Sequence, residues 1–388
     1  MTYAEHRKII DTDSHLIELE DFLYNAASPA HKDLIPSMLA QKHLPINQER
    51  LDQARQLFAK RTQNQEAMAK FEASLLDNRR DGLSRLGAFD REERSHTLDL
   101  FGFELQWILP TYTFHQVAHL EDPDSLEAGV VTLNRAMGQF CAADQRMRAI
   151  GYLPLRLGVN RALAIMQQGL QDGCYSFMVD TNQPNDKAYS FTHPLYDPIW
   201  AEFAERNAPV ALHVAANGDY RPVPRSFSNN GRPEIHLGGD APAGELGVLT
   251  IGNSVQVFLA AMIFDGVFER HPNLVAISME HAASWLPSWL QSLDFTAGMF
   301  KRARQYHEAP SETAKRHIKV SPFAGEPIGW IIENSSPDML VFASDYPHPE
   351  GGADPIAKFE ATMSTCDETT LNKFYYDNMA AAMGLTGR

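Results

Sequence analysis

Short apolar runs alternate with helix-patterned stretches along most of this chain, and each run stops at a proline or a polar cluster. Eight such runs read as strands: Ile9 and Ile10 leading into Asp11, then 105–109, 149–153, 175–179, 209–213, 274–281, 317–320 and 339–344. Between them apolar residues recur at helical spacing, as in Leu126, Val130, Leu133 and Met137, or Leu195, Ile199 and Phe203. Strands alternating with helices imply βα units and parallel pairing. Eight strands are what a closed (β/α)8 TIM barrel needs. The rival, an open doubly wound sheet, usually carries a G-x-G-x-x-G turn after an early strand. Asp11 to His15 stand there instead. The expected fold is therefore an α/β barrel forming a single domain over 1–388. Residues 36–90 break the alternation. Leu51, Ala54 and Phe58, then Met68, Phe71 and Leu75, mark amphipathic helices. They are expected to form an N-terminal helical insertion, acting as a lid or a subunit contact.

Charge narrows the partners. The formal net charge is −15 and no basic block occurs, which argues against nucleic acid and anionic membrane. Cys141, Cys174 and Cys366 include no C-x-x-C pair, so neither a disulfide framework nor a cysteine zinc site is expected. No apolar run of about 18 residues stands out, so no spanning helix is expected. The first residues lack the apolar core of a signal peptide. A cytoplasmic location follows as the expectation.

In a barrel the active site lies at the C-terminal ends of the strands. The first run ends in Asp13-Ser14-His15, where alternation puts Asp13 and His15 on one side. The fifth ends in His213, the sixth in Glu280-His281, the eighth in Asp345. Two His and two Asp meeting at one point form a mixed nitrogen–oxygen site suited to Zn²⁺, Mn²⁺ or Fe²⁺. Singly, each residue has a structural reading. Asp13 can cap the following helix, Asp345 can order its Pro-rich turn, and His15 and His348 can be solvated loop residues. Alternation turns Glu280 away from His281. Glu18, three residues after His15, reads as a helix N-terminal charge rather than as support for a ligand.

Asp13-x-His15, Ala211-Leu-His213, Glu280-His281-Ala-Ala-Ser-Trp285-Leu-Pro287 and Phe342-Ala-Ser-Asp345-Tyr-Pro-His348 together resemble the amidohydrolase-related family. That branch of the amidohydrolase superfamily contains aminocarboxymuconate-semialdehyde decarboxylase, the resorcylate decarboxylases and several hydrolases. The resemblance implies that Asp13, His15, His213 and Asp345 bind one divalent metal. Asp13 stands where relatives have His or Glu, which tilts the choice from Zn²⁺ towards Mn²⁺. His281 falls at the position of a catalytic His, beside Asp345 as the second proton-transfer group. Resorcylate-type decarboxylases tend to carry Glu three residues after that His, where this chain has Ser284.

Two reactions use such a site. A metal-dependent hydrolase of a small organic substrate is the first reading. A nonoxidative decarboxylase of an aromatic or unsaturated carboxylic acid is the alternative, and a barrel without catalysis is a third reading. The long connection 215–247 is expected over the site, with Arg221 or Arg225 placed to clamp a substrate carboxylate. His348 is expected to frame the substrate from beyond Pro347. Trp285 and Trp289, one helical turn apart, read as packing or a subunit contact, and a homodimer or higher homo-oligomer is expected.

Overall fold

The structure is a computed structural model that describes residues 2–41, 44–181, 189–217, 223, 225–233 and 244–385. Its contacts divide the chain into two compact units. The first comprises 1–153, 164–177 and 344–355, and the second 154–163, 178–343 and 356–388.

In the first unit, β1 (Ile10–Asp11), β2 (His15–Leu16), β3 (Leu105–Pro110) and β4 (Met147–Leu153) pair in parallel. Both β1 and β2 lie against β3, with Ile10 opposite Leu105 and His15 opposite Leu109. The expected first strand is thus two short pieces, because Thr12–Ser14 leaves the ladder and the Ser14 hydroxyl donates to the Trp107 carbonyl at 2.6 Å. Trp107, Ile108, Leu109, Ile150 and Leu153 are fully buried. β5 (Cys174–Val179) begins in this unit.

The helices start where the sequence supplies caps. Asp90 accepts from the Glu93 N–H and opens Arg91–Phe101, which Gly102 closes at φ 73°. Asp122 accepts from the Ser125 N–H with Pro123 in the first turn of Pro123–Cys141. The latter helix packs tightly through Gly138, where an added Cβ would lie 2.0 Å from the Asp172 carbonyl oxygen. Gly138→Ala should therefore cost about 3 kcal/mol or more, since both partners are backbone. Urea denaturation at constant m-value measures the loss.

The insertion is helical as expected, with Gln48–Gln63 and Gln65–Ala73 capped by Asn47 and Asn64. Leu51, Ala54, Met38 and Leu44 pack on Ile17, Leu83 and Tyr112 in one buried cluster. Its apolar face thus continues the core beside β2.

In the second unit, β6 (Val210–His213), β7 (Ala276–Met279) and β8 (Ile318–Val320) pair in parallel, and Met178 of β5 pairs with Ala211. The run 339–344 pairs with β8 through one parallel bridge, Leu340 with Val320, and then leaves it. Its backbone N–H groups go to different acceptors: Val341 to the Val320 carbonyl, Phe342 to the Phe374 carbonyl, and Ser344 to the Asp11 carboxylate. One segment, Gly244–Phe264, does have the length and apolarity of a membrane span, with mean hydropathy 1.8 and 44% burial. It consists of two helices, Gly244–Leu249 and Asn253–Phe264. Val255, Leu259 and Met262 of the second are fully buried, the pattern of a core helix.

Candidate metal centre

Asp13 and His15 follow β1 directly, and backbone bonds tie them to the turn after residue 344. The His15 N–H donates to the Tyr346 carbonyl at 2.7 Å, and the Asp345 N–H donates to the Asp13 carbonyl at 2.8 Å. Asp345 sits at φ 52°, a left-handed backbone that ends the extended run and swings its carboxylate inward. The chain then folds back, with the His348 N–H on the Asp345 carbonyl at 2.8 Å.

These bonds bring three carboxylate- and imidazole-bearing side chains together, and add a fourth. His15 Nε2 lies 3.3 Å from Asp13 Oδ1 and 3.6 Å from Asp345 Oδ1. His348 Nδ1 lies 3.0 Å from the same Asp345 oxygen. The His15 and His348 rings stack at 4.0 Å. Thr111 Oγ1 sits between them, 3.3 Å from His15 Nδ1 and 3.1 Å from His348 Nε2. All are buried. His348 was expected to frame the substrate from the loop. It instead stands inside the cluster, because the left-handed turn at Asp345 returns the chain.

Around them are carboxyls that burial makes costly. Burial pushes the Asp345 carboxyl up to about 7, with His348 pulling it down and Asp13 adding to the rise. Burial also pushes Asp11 up to about 7, although Gln106 and Ser344 donate to it. A buried carboxylate needs a positive partner. His15, Asp345 and His348 each offer a ligand atom within 4.8 Å of one another. Carboxylate oxygen with imidazole nitrogen is a donor set for Zn²⁺, Mn²⁺ or Fe²⁺, so the residues present fit a divalent ion.

Glu18 corrects the sequence reading in part. It is a helix N-terminal charge, but for Tyr112–Ala118. Its carboxylate accepts from the N–H groups of Thr111, Tyr112 and Thr113 and from the Thr113 hydroxyl at 2.6–3.3 Å. It thereby fixes Thr111 and, through it, the two imidazoles. Neither Thr111 nor Glu18 had a local signal for that role.

In the second unit, His213 closes β6 opposite Met279. Glu280 was expected to face away from His281, by strand alternation. The strand ends at Met279, and Glu280 and Ala282 take φ of 57° and 58°. Alternation no longer applies there, and Glu280 Oε2 lies 3.3 Å from His213 Nε2. His281 is fully buried, its Nδ1 3.2 Å from the Ser278 hydroxyl. Ser284 is held by Glu326, which accepts from its N–H at 2.8 Å and its hydroxyl at 2.6 Å. Trp285 and Trp289 meet edge to face at 5.4 Å, and the Trp285 indole N–H donates to the His281 carbonyl. The two indoles thus pack on each other at the start of Leu286–Phe300. Arg221 lies outside the described residues, and Arg225 opens the short helix Arg225–Ser228.

A family model described as Amidohydrolase matches residues 102–385. No curated protein matches. Solved structures similar in fold include an amidohydrolase from Mycobacterium avium subsp. paratuberculosis K-10, at 21% identity and TM-score 0.70, covering 98% of this chain and 100% of that one. A second is 5-carboxyvanillate decarboxylase from Novosphingobium aromaticivorans DSM 12444, complexed with manganese and 4-hydroxy-3-methoxy-5-nitrobenzoic acid. Its identity is 18% and its TM-score 0.64, over 99% of this chain and 98% of that one. A third is a dihydroxybenzoic acid decarboxylase from Polaromonas sp. JS666 with bound manganese and 2-nitroresorcinol, at 14% identity and TM-score 0.64 over 98% of both chains. The fold is the expected (β/α)8 barrel.

Proposed function

Because the chain belongs to the amidohydrolase family, we propose that it is a metal-dependent enzyme, and specifically a nonoxidative decarboxylase of a hydroxylated aromatic acid. The observation that carries this choice is the pair of manganese-bound decarboxylases sharing its fold over nearly their full length. They favour decarboxylation over the hydrolysis that the residues alone put first. Residues 1–388 are read as one catalytic barrel domain with 36–90 inserted in it.

Asp13, His15, His213 and Asp345 are the proposed ligands of one divalent ion. The distances among Asp13, His15 and Asp345 support three of them, and the family pattern adds His213. When bound, such an ion polarises a substrate oxygen as a Lewis acid. The protein's own residues do the rest. His281, oriented through Nδ1 by Ser278, delivers a proton to the ring carbon that carries the carboxylate. The carbon–carbon bond then breaks, its electron pair restores the ring, and carbon dioxide leaves. Asp345 is proposed as the second proton-transfer group. Arg221 or Arg225 is proposed to hold the substrate carboxylate. A cytoplasmic homodimer or higher homo-oligomer completes the proposal. The unpaired state of Cys141, Cys174 and Cys366 supports the compartment.

The test is a panel of hydroxybenzoates assayed for carbon dioxide release with Mn²⁺ or Zn²⁺, beside lactones and amides. Carbon dioxide release that chelation lowers by about 100-fold or more is the expected result. Lactone or amide turnover without carbon dioxide would move the assignment to hydrolysis. Purified protein without any stoichiometric divalent metal would sink both enzyme readings in favour of a non-catalytic barrel.

A further inference from the structure

The insertion reaches the candidate metal centre through backbone carbonyls. Arg85, 4% exposed, donates through Nη1 to the carbonyls of Pro347 at 3.1 Å and His348 at 3.4 Å, and through Nη2 to that of Leu75 at 3.0 Å. The Asn78 amide donates to the Pro349 carbonyl at 2.9 Å. Gly82 sits so close that an added Cβ would lie 3.0 Å from the Pro347 oxygen and 2.6 Å from Ile17 Cδ1. From the next helix Arg94, fully buried, donates to the carbonyl of His15. Between these bonds lies the Tyr346 ring, with the Arg85 and Arg94 guanidinium carbons 4.4 and 5.3 Å from its centroid. Its hydroxyl donates to the Leu86 carbonyl at 2.7 Å.

Burying two guanidinium groups is costly, and apolar residues of like volume would serve stability as well or better. What guanidinium adds is directional. Its rigid fork makes charge-assisted bonds to carbonyl oxygens and stacks on an aromatic face. The carbonyls it holds belong to His15, to His348 and to Pro347, so the bonds fix the backbone from which the site's side chains project. Outer partners of this kind set ligand orientation. Burial lowers Arg94 to about 10, so it stays charged at neutral pH.

We propose that the 36–90 insertion is a clamp on the metal-binding turns, and that Arg85 and Arg94 are positioning residues for His15, Asp345 and His348. The proposal rests on the metal-site reading above. It is tested on the full chain by Mn²⁺ titration of metal-stripped protein and by hydrogen exchange of the 343–352 amides in the metal-free state. Arg85→Met should weaken Mn²⁺ binding by about 10- to 100-fold and speed exchange at Asp345 and His348 by about 10-fold or more, with the strands of the same unit unchanged. Arg85→Lys should restore only part of each, since an ammonium lacks the fork. Folded Arg85→Met with unchanged affinity and unchanged turn exchange overturns the clamp. So does faster exchange spread evenly over the unit with affinity intact. Should Arg85→Met fail to fold, Asn78→Ala decides. A several-fold weaker Mn²⁺ affinity with faster exchange around Gly352 supports the clamp, and no change overturns it. Wild-type protein that binds no Mn²⁺ refutes the metal site alone, while the exchange comparison still decides whether the insertion holds the turn.

Discussion

Asp345→Asn should abolish turnover and stoichiometric metal while the chain stays folded. The amide keeps the shape of the carboxylate but loses its charge, and a neutral oxygen is a poor ligand for a hard cation. The loss in kcat/KM should be on the order of 10³-fold or more, since metal polarisation is worth several kcal/mol in the transition state. The fold should survive because the carboxylate is a burden to the metal-free protein. Burial pushes its pKa up to about 7, from the ordinary 3.8 of an aspartate. The folded state thus binds that proton more tightly than the open chain. The sign follows: this group's contribution to metal-free stability is fully present below about 4 and falls as pH rises towards 7. Asparagine removes that slope. Metal-stripped Asp345→Asn should melt at or above the temperature of metal-stripped wild type at pH 7.5, and added Mn²⁺ should raise the melting point of wild type only. Near-normal turnover in the variant would remove Asp345 from the mechanism, and a collapsed circular dichroism spectrum would make it structural.

Much of the barrel was legible because parallel strands buried on both faces read as continuous apolar runs. The runs at 105–109, 149–153 and 175–179 match β3, β4 and β5 to within two residues. The run at 339–344 pairs with β8 at Leu340 only, because the N–H groups beyond Val341 go to other acceptors. Asp13, His15 and Asp345 were legible for a local reason: each is a metal-ligand type at the junction of an apolar run and a turn. His348 was not, since its place depends on a left-handed residue three positions earlier that no propensity marks. The approach of Glu280 to His213 was not legible for the same cause, as alternation presumes that the strand continues past Met279. Thr111 and Glu18 owe their roles to packing across more than 90 residues of sequence, where local patterns carry no signal. Arg85 and Arg94 carry no local mark either, since neither stands at a strand end.

The largest stability effect should come from the buried pair that ties the insertion to the helix behind the ligand turns. Arg61, on Gln48–Gln63, donates through Nη2 to Glu93 Oε2 at 2.7 Å, and Glu93 lies on Arg91–Phe101. Both side chains are essentially without solvent contact. Arg61 also donates to the carbonyls of Ser84 and Arg85, and Glu93 Oε2 accepts from the Gly87 N–H at 2.7 Å. The Phe71 ring lies 4.8 Å from the guanidinium carbon. Removing one partner strands a charge that water cannot reach. Arg61→Ala or Glu93→Ala should therefore each cost about 3–5 kcal/mol. Replacing both with leucine removes the stranded charge, so the double variant should lose less than the sum of the two alanine effects. The remaining cost is that of the Gly87 N–H and the two carbonyls left without partners, each about 1–3 kcal/mol when buried. Urea unfolding of the two alanine variants and the double-leucine variant measures all three values. A single-variant loss of about 1 kcal/mol or less, the scale of a surface pair, would mean that water reaches the site.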